Sequence, residues 1–82
     1  MEVRITRKAT KQLDRIPSLL AKNIFCQLSE LSKNPYPSNC RKLRGEENYR
    51  IRVGVYRAIY TIDKKTKRII VLRVKHRSKA YR

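Results

Sequence analysis

Two clusters of residues in this chain could do chemistry on phosphate. Arg50, Arg52 and Arg57 lie in the stretch Tyr-Arg-Ile-Arg-Val-Gly-Val-Tyr-Arg-Ala-Ile-Tyr at 49–60, and Lys75-His76-Arg77 with Tyr81 closes the sequence. Arginine offers a planar guanidinium that stays charged and matches phosphate oxygens in shape. Such residues suit metal-free cleavage of RNA. In that reaction a base takes the proton of a 2′-hydroxyl and the freed oxygen attacks the neighbouring phosphorus. Cations hold the charge that builds on the phosphoryl oxygens, and an acid protonates the departing 5′-oxygen. Arginines fit the charge-holding part. Histidine is the one residue type that changes charge near neutral pH, so the lone histidine, His76, could act as base or acid. Tyr81, set among cations that favour a phenolate, could act as the other, and Glu46 and Glu47 are weaker candidates for the base. Bland readings stand beside these: an arginine face that only keeps a sheet edge soluble, and a histidine that merely ends a strand.

Other chemistries fit less well. One histidine and six scattered carboxylates supply no three-ligand metal site, so neither a metal nor another cofactor is expected. A Ser78–His76–Asp63 triad can be drawn, but nothing like a nucleophile elbow surrounds Ser78.

The elements that must position these residues begin with a hairpin. Two alternating runs broken by Gly54 predict strands on either side of it. With Val53 and Gly54 as the turn, Arg52 pairs with Val55, Ile51 with Tyr56 and Arg50 with Arg57. Arg50, Arg52 and Arg57 then share one face, and Tyr49, Ile51, Tyr56, Ala58 and Tyr60 share the other. Like charges so clustered point to an anionic ligand.

Upstream, Val3 and Ile5 alternate within a short strand over 2–6. Thr6 can cap a first helix whose face is Ala9, Leu13 and Ile16 and which Pro17 ends. Ser18 is read as the cap of a second helix over about 19–33, with an apolar stripe of Leu20, Ile24, Phe25, Leu28 and Leu31. Pro35 and Pro37 make a connector that is not helix. Leu43 anchors the approach to the hairpin, in which Arg44 is a further phosphate-binding candidate. Asp63-Lys64-Lys65-Thr66 is a turn, and Ile69 to Leu72 form a continuous apolar run that suits a strand covered on both faces. The expected fold is α+β: an N-terminal strand, a two-helix hairpin, then a three-stranded antiparallel sheet, with both helices on one side. The opposite face, with its arginines, stays open to a ligand.

The 82 residues make a single domain, 1–82. Its 22 Lys and Arg against 6 Asp and Glu give +16, a charge that seeks a polyanion or an acidic protein. Cys26 and Cys40 are read as free thiols, and no apolar run is long enough for a membrane span. A soluble, cytoplasmic protein is expected.

The pattern resembles the RelE/ParE toxin superfamily of toxin–antitoxin systems, and it does so over nearly the whole chain. The resemblance rests on Leu43-Arg44-Gly45, on Tyr49-Arg50-Ile51-Arg52-Val53-Gly54, on Tyr56-Arg57 with Tyr60, and on His76-Arg77 with Tyr81. It implies a RelE-like fold, similar to compact microbial ribonucleases, and for the RelE branch an endoribonuclease that enters the ribosomal A site and cuts messenger RNA, stopping translation. By position it implies that Arg57 holds the scissile phosphate, that Arg77 or Lys75 stabilises the transition state, and that Tyr81 stacks on RNA or moves a proton. Arg50 and Arg52 stand where relatives often have lysines. Arginine, with a pKa above about 12, is a poor base, so proton transfer falls more to His76 or Tyr81. The implied partners are the ribosome with its messenger RNA and an acidic antitoxin, the toxin–antitoxin complex binding operator DNA through the antitoxin. Two alternatives stay open: a ParE-like inhibitor of DNA gyrase that needs no catalytic site, and a non-catalytic RNA- or ribosome-binding protein.

Overall fold

A computed structural model describes residues 1–45 and 47–79. The first strand, β1 (Glu2–Ile5), runs directly into helix α1 (Arg7–Asp14) through Thr6. The Thr6 side-chain oxygen accepts from the Ala9 N–H at 3.1 Å, the capping bond the sequence predicts, and its hydroxyl donates to the Leu72 carbonyl at 3.0 Å. One side chain thus starts the helix and ties it to the last strand. Helix α2 (Ser18–Glu30) follows. Its cap is Pro17, not Ser18: the extended Pro17 backbone turns the chain into the helix, its carbonyl accepts from the Ala21 N–H at 2.9 Å, and Ser18 is already helical.

After the proline connector come β2 (Cys40–Lys42), β3 (Asn48–Val53), β4 (Tyr56–Asp63) and β5 (Arg68–His76), then a 3-10 turn over Arg77–Lys79. Antiparallel pairing of β3, β4 and β5 matches expectation, but the sheet is larger than three strands. Its five strands run in the order β1-β5-β4-β3-β2, with β1 parallel to β5 and the other neighbours antiparallel. Strand β2 is three residues of Cys-Arg-Lys, too short and too charged to show a strand period. The parallel pairing of β1 joins segments more than sixty residues apart, beyond what local pattern reports.

The hairpin register also differs. Gly54 and Val55 make the turn, with Gly54 at φ +61°, the first turn position a type II′ hairpin gives to glycine. Arg52 therefore faces Arg57, Ile51 faces Ala58 and Arg50 faces Ile59. Relative to the expected pairing the slip is two residues, and because side chains alternate with a period of two, every residue keeps its predicted face.

Those faces sort cleanly. Ile51, Val53, Ala58, Tyr60, Ile69, Val71 and Val74 are buried against Ala9, Ile24, Leu28 and Leu31 of the helical layer. In α2 the predicted stripe is only partly used, since Leu20 and Phe25 remain exposed. The Tyr60 hydroxyl donates to the Pro35 carbonyl at 2.8 Å, Tyr49 stacks on Tyr60 with centroids 5.7 Å apart, and Tyr36 meets Tyr49 edge-on. This aromatic column pins the proline connector to the sheet.

One irregularity decides what the far face holds. Ile59 faces Arg73 whereas Tyr60 faces Val71, so Leu72 is an extra residue, a bulge in β5. Unbroken alternation from Ile69 and Val71 would turn Arg73 and Lys75 into the core. With the bulge, Val74 is buried and Arg73 and Lys75 join the uncovered face. The apolar run is thus covered by helices on one side only. Among the described residues, no helix is long and apolar enough to cross a membrane.

Candidate functional site

The uncovered face is built from two cross-strand rows. In one, Arg52, Arg57 and Lys75 lie side by side on β3, β4 and β5. In the next, Arg41, Arg50, Ile59 and Arg73 cross four strands. Neighbouring strands are only about 4.8 Å apart, and like charges directly opposite destabilise a sheet. Rows of cations at that spacing suit an anion lying across them.

Arg57 is central to this arrangement. At 7% exposure it is the one buried charged residue among those described. Burying a guanidinium costs far more than leaving it in water, and arginine cannot escape by losing its proton. Next to it, the Arg77 N–H donates to the Val55 carbonyl at 2.6 Å, which fastens the chain leaving β5 to the hairpin tip. Arg52, Gly54, Tyr56, Arg57 and Arg77 line a small depression there, about 50 Å³ in volume. A glycine at the rim leaves the backbone open to close approach.

The other predicted residues distribute as follows. Arg50 and Lys75 share the open face with Arg57, one row and one strand away respectively. His76 does not: it faces Tyr56 across the ladder and lies on the helix-covered side, its ring edge-on to Tyr56 at 5.4 Å. Its Nδ1 accepts from the Ser78 N–H at 3.2 Å and sits 2.8 Å from Ser78 Oγ. Asp63, the third member of the triad drawn from the sequence, is at the far end of β4, where its carboxylate accepts from the Lys65 and Thr66 N–H groups. Arg44 lines a separate depression with Lys42, Leu43, Gly45 and Glu47. That site lies beyond the Asn48–Thr61 pair, roughly 13 Å along the strands from the Arg52–Arg57 pair at about 3.3 Å per residue. Tyr81 and Glu46 lie outside the described residues. Among those described, no three His, Cys, Asp or Glu side chains converge as metal ligands.

Sequence reasoning missed Arg41 and Arg73. Arg41 needed strand β2 to be recognised; Arg73 needed the bulge, whose only trace is that Val74 and not Arg73 is apolar after Val71.

Residues 3–81 match the family described as the ParE toxin of type II toxin–antitoxin systems, parDE. Toxin RelG of Mycobacterium tuberculosis (strain ATCC 25618 / H37Rv) is 34% identical over 83 residues, spanning 98% of this chain and 94% of RelG. Among solved structures, the toxin–antitoxin complex RelBE2 from Mycobacterium tuberculosis contains a chain 30% identical, superposing with a TM-score of 0.82 over 93% of this chain and 96% of its own. The archaeal RelE–RelB complex from Pyrococcus horikoshii OT3 contains another, also 30% identical, with a TM-score of 0.83 over 96% and 97%. With both its sequence and its overall fold in agreement with these relatives, the chain belongs to the RelE/ParE family of type II toxin–antitoxin toxins.

Proposed function

We propose that this toxin is a ribosome-dependent endoribonuclease that cuts messenger RNA in the A site by attack of a 2′-hydroxyl on the adjacent phosphate. The observation that supports it best is the buried Arg57 in a cationic row, beside the depression it shares with Arg52 and Arg77. A gyrase-binding surface has no need of a desolvated guanidinium, whereas a phosphoryl transition state gains most from a donor already stripped of water. In this reading Arg57 and Arg77 hold the phosphoryl oxygens as charge builds. Arg50, Arg52 and Lys75 hold neighbouring phosphates. Of the two groups suited to proton transfer, His76 lies on the helix side, which leaves Tyr81 as the candidate for that step. An acidic antitoxin is the expected inhibitor, in keeping with relatives solved as RelB complexes.

The test is cleavage of a defined messenger RNA by purified toxin, with and without ribosomes whose A site is empty. Cuts confined to the A-site codon, ending in a 2′,3′-cyclic phosphate and lowered about 10²- to 10³-fold by Arg57→Gln, are the expected result. The ParE-like reading has one observation of its own, the family description matched by residues 3–81. No cutting, together with inhibition of gyrase supercoiling, would replace the first reading with the second.

A further inference from the structure

A larger cavity opens on the other side of Tyr56. It has a volume of about 550 Å³ and lies where the end of α1 meets the ends of β4 and β5. Ile16 and Val74 give it apolar walls, Tyr56 an aromatic one, and Arg15 brings an exposed guanidinium to its edge. Gln12 is fixed across it by accepting from the Val74 N–H at 2.6 Å. His76 is fixed too. Its ring stands at 87° to that of Tyr56, and with Nδ1 held against Ser78, Nε2 is the ring nitrogen available to a ligand.

Flat apolar and aromatic surfaces, a planar cation and a few oriented hydrogen-bonding groups are what an unstacked nucleobase requires. Tyr56 also lines the Arg52–Arg57–Arg77 depression, so the two hollows are neighbours. We propose that this cavity is a nucleobase subsite: it takes the base of the nucleotide whose phosphate rests at Arg57 and Arg77, stacked on Tyr56 and Arg15 and read by His76. The inference rests on the ribonuclease reading for its choice of ligand, and it gives His76 a part in selecting the base.

The test is a binding titration that involves neither ribosome nor cleavage. The four nucleoside 5′-monophosphates and ribose 5-phosphate are titrated separately into the toxin while the Tyr56 and His76 ring resonances are followed by NMR. At least one nucleotide is expected to bind about tenfold more tightly than ribose 5-phosphate, the scale of base–aromatic stacking. It should shift both rings. Tyr56→Ala should erase that advantage. Arg15→Ala, at an exposed position outside the phosphate depression, should report the same loss in smaller measure and leave the ribose 5-phosphate affinity within about twofold, and it keeps the test open should Tyr56→Ala not fold. Equal affinities for nucleotides and ribose 5-phosphate would overturn the proposal, as would a base contribution that both variants leave intact. A toxin that cuts RNA yet shows no base contribution loses only this subsite; one that binds bases through Tyr56 yet never cuts loses only the nuclease reading.

Discussion

Arg57 sits where a charge is expensive, and the simplest account is that the expense serves the transition state. Arg57→Gln is expected to lower A-site cleavage by about 10²- to 10³-fold, the range for one preorganised donor, while ribosome affinity falls less than tenfold. Equal losses in both would make it a binding residue only. Arg57→Lys should recover little, because an ammonium offers a point charge in place of a flat fork. Tyr60 shows a different residue-scale effect. Burial first, with Cys40 and Tyr49 adding to it, pushes the Tyr60 phenol well above its ordinary 10.0. An unfolded chain would ionise this group near pH 10 and the folded one would not. Its contribution is therefore complete below about pH 10 and declines as pH rises beyond that. Tyr60→Phe should cost about 1 kcal/mol at neutral pH through the lost bond to Pro35, yet show a shallower alkaline fall in urea midpoint. A wild-type midpoint that stays flat up to pH 11 would contradict this.

At the scale of elements, the sequence conveys faces better than registers. Alternation around Gly54 places Arg50, Arg52 and Arg57 together because any slip by two residues preserves their side. The choice of Gly54–Val55 over Val53–Gly54 depends on backbone angles that residue types only weakly encode. Thr6 marks a helix start by local chemistry and is legible, and Pro17 marks the break between the helices, though residue type alone assigns the second cap to Ser18; β1 beside β5 is set by tertiary packing and is not legible. The bulge at Leu72 is the clearest case, since a single unpaired residue moves Arg73 and Lys75 from the core side to the open side. Deleting Leu72 removes the extra residue itself and leaves Val71, Arg73, Val74 and Lys75 alternating on the faces they already occupy. The deletion variant should therefore still unfold cooperatively, losing about 1 kcal/mol with the Thr6 bond to the Leu72 carbonyl, against a total stability of about 5–15 kcal/mol. Leu72→Ala keeps the residue count and the backbone carbonyl that accepts from Thr6, and it should retain cooperative unfolding. Loss of cooperative unfolding in the deletion alone would mean that the bulge is not what sorts this strand.

For the whole molecule, the +16 charge sets two responses to salt that run in opposite directions. Glu2 pairs with Arg4 and Arg68, but six carboxylates cannot neutralise 22 Lys and Arg, so cations repel one another across the molecule. Screening that repulsion should raise the thermal midpoint of the free toxin between low and physiological salt. Binding to ribosomes should weaken over the same range, because each phosphate contact releases counterions. If Arg41, Arg50, Arg52, Arg57, Arg73, Lys75 and Arg77 all meet single-stranded phosphates, at about 0.7 per contact, log affinity against log salt should have a slope near −5. Arg73→Gln tests whether the second row takes part: it should reduce that slope by roughly 0.7 while leaving the single-turnover cleavage rate of the bound complex unchanged. An unchanged slope would confine the working surface to the Arg52–Arg57–Lys75 row. A slowed bound-state rate would move Arg73 from holding RNA to aligning it, since a residue that only adds affinity acts equally on ground and transition states.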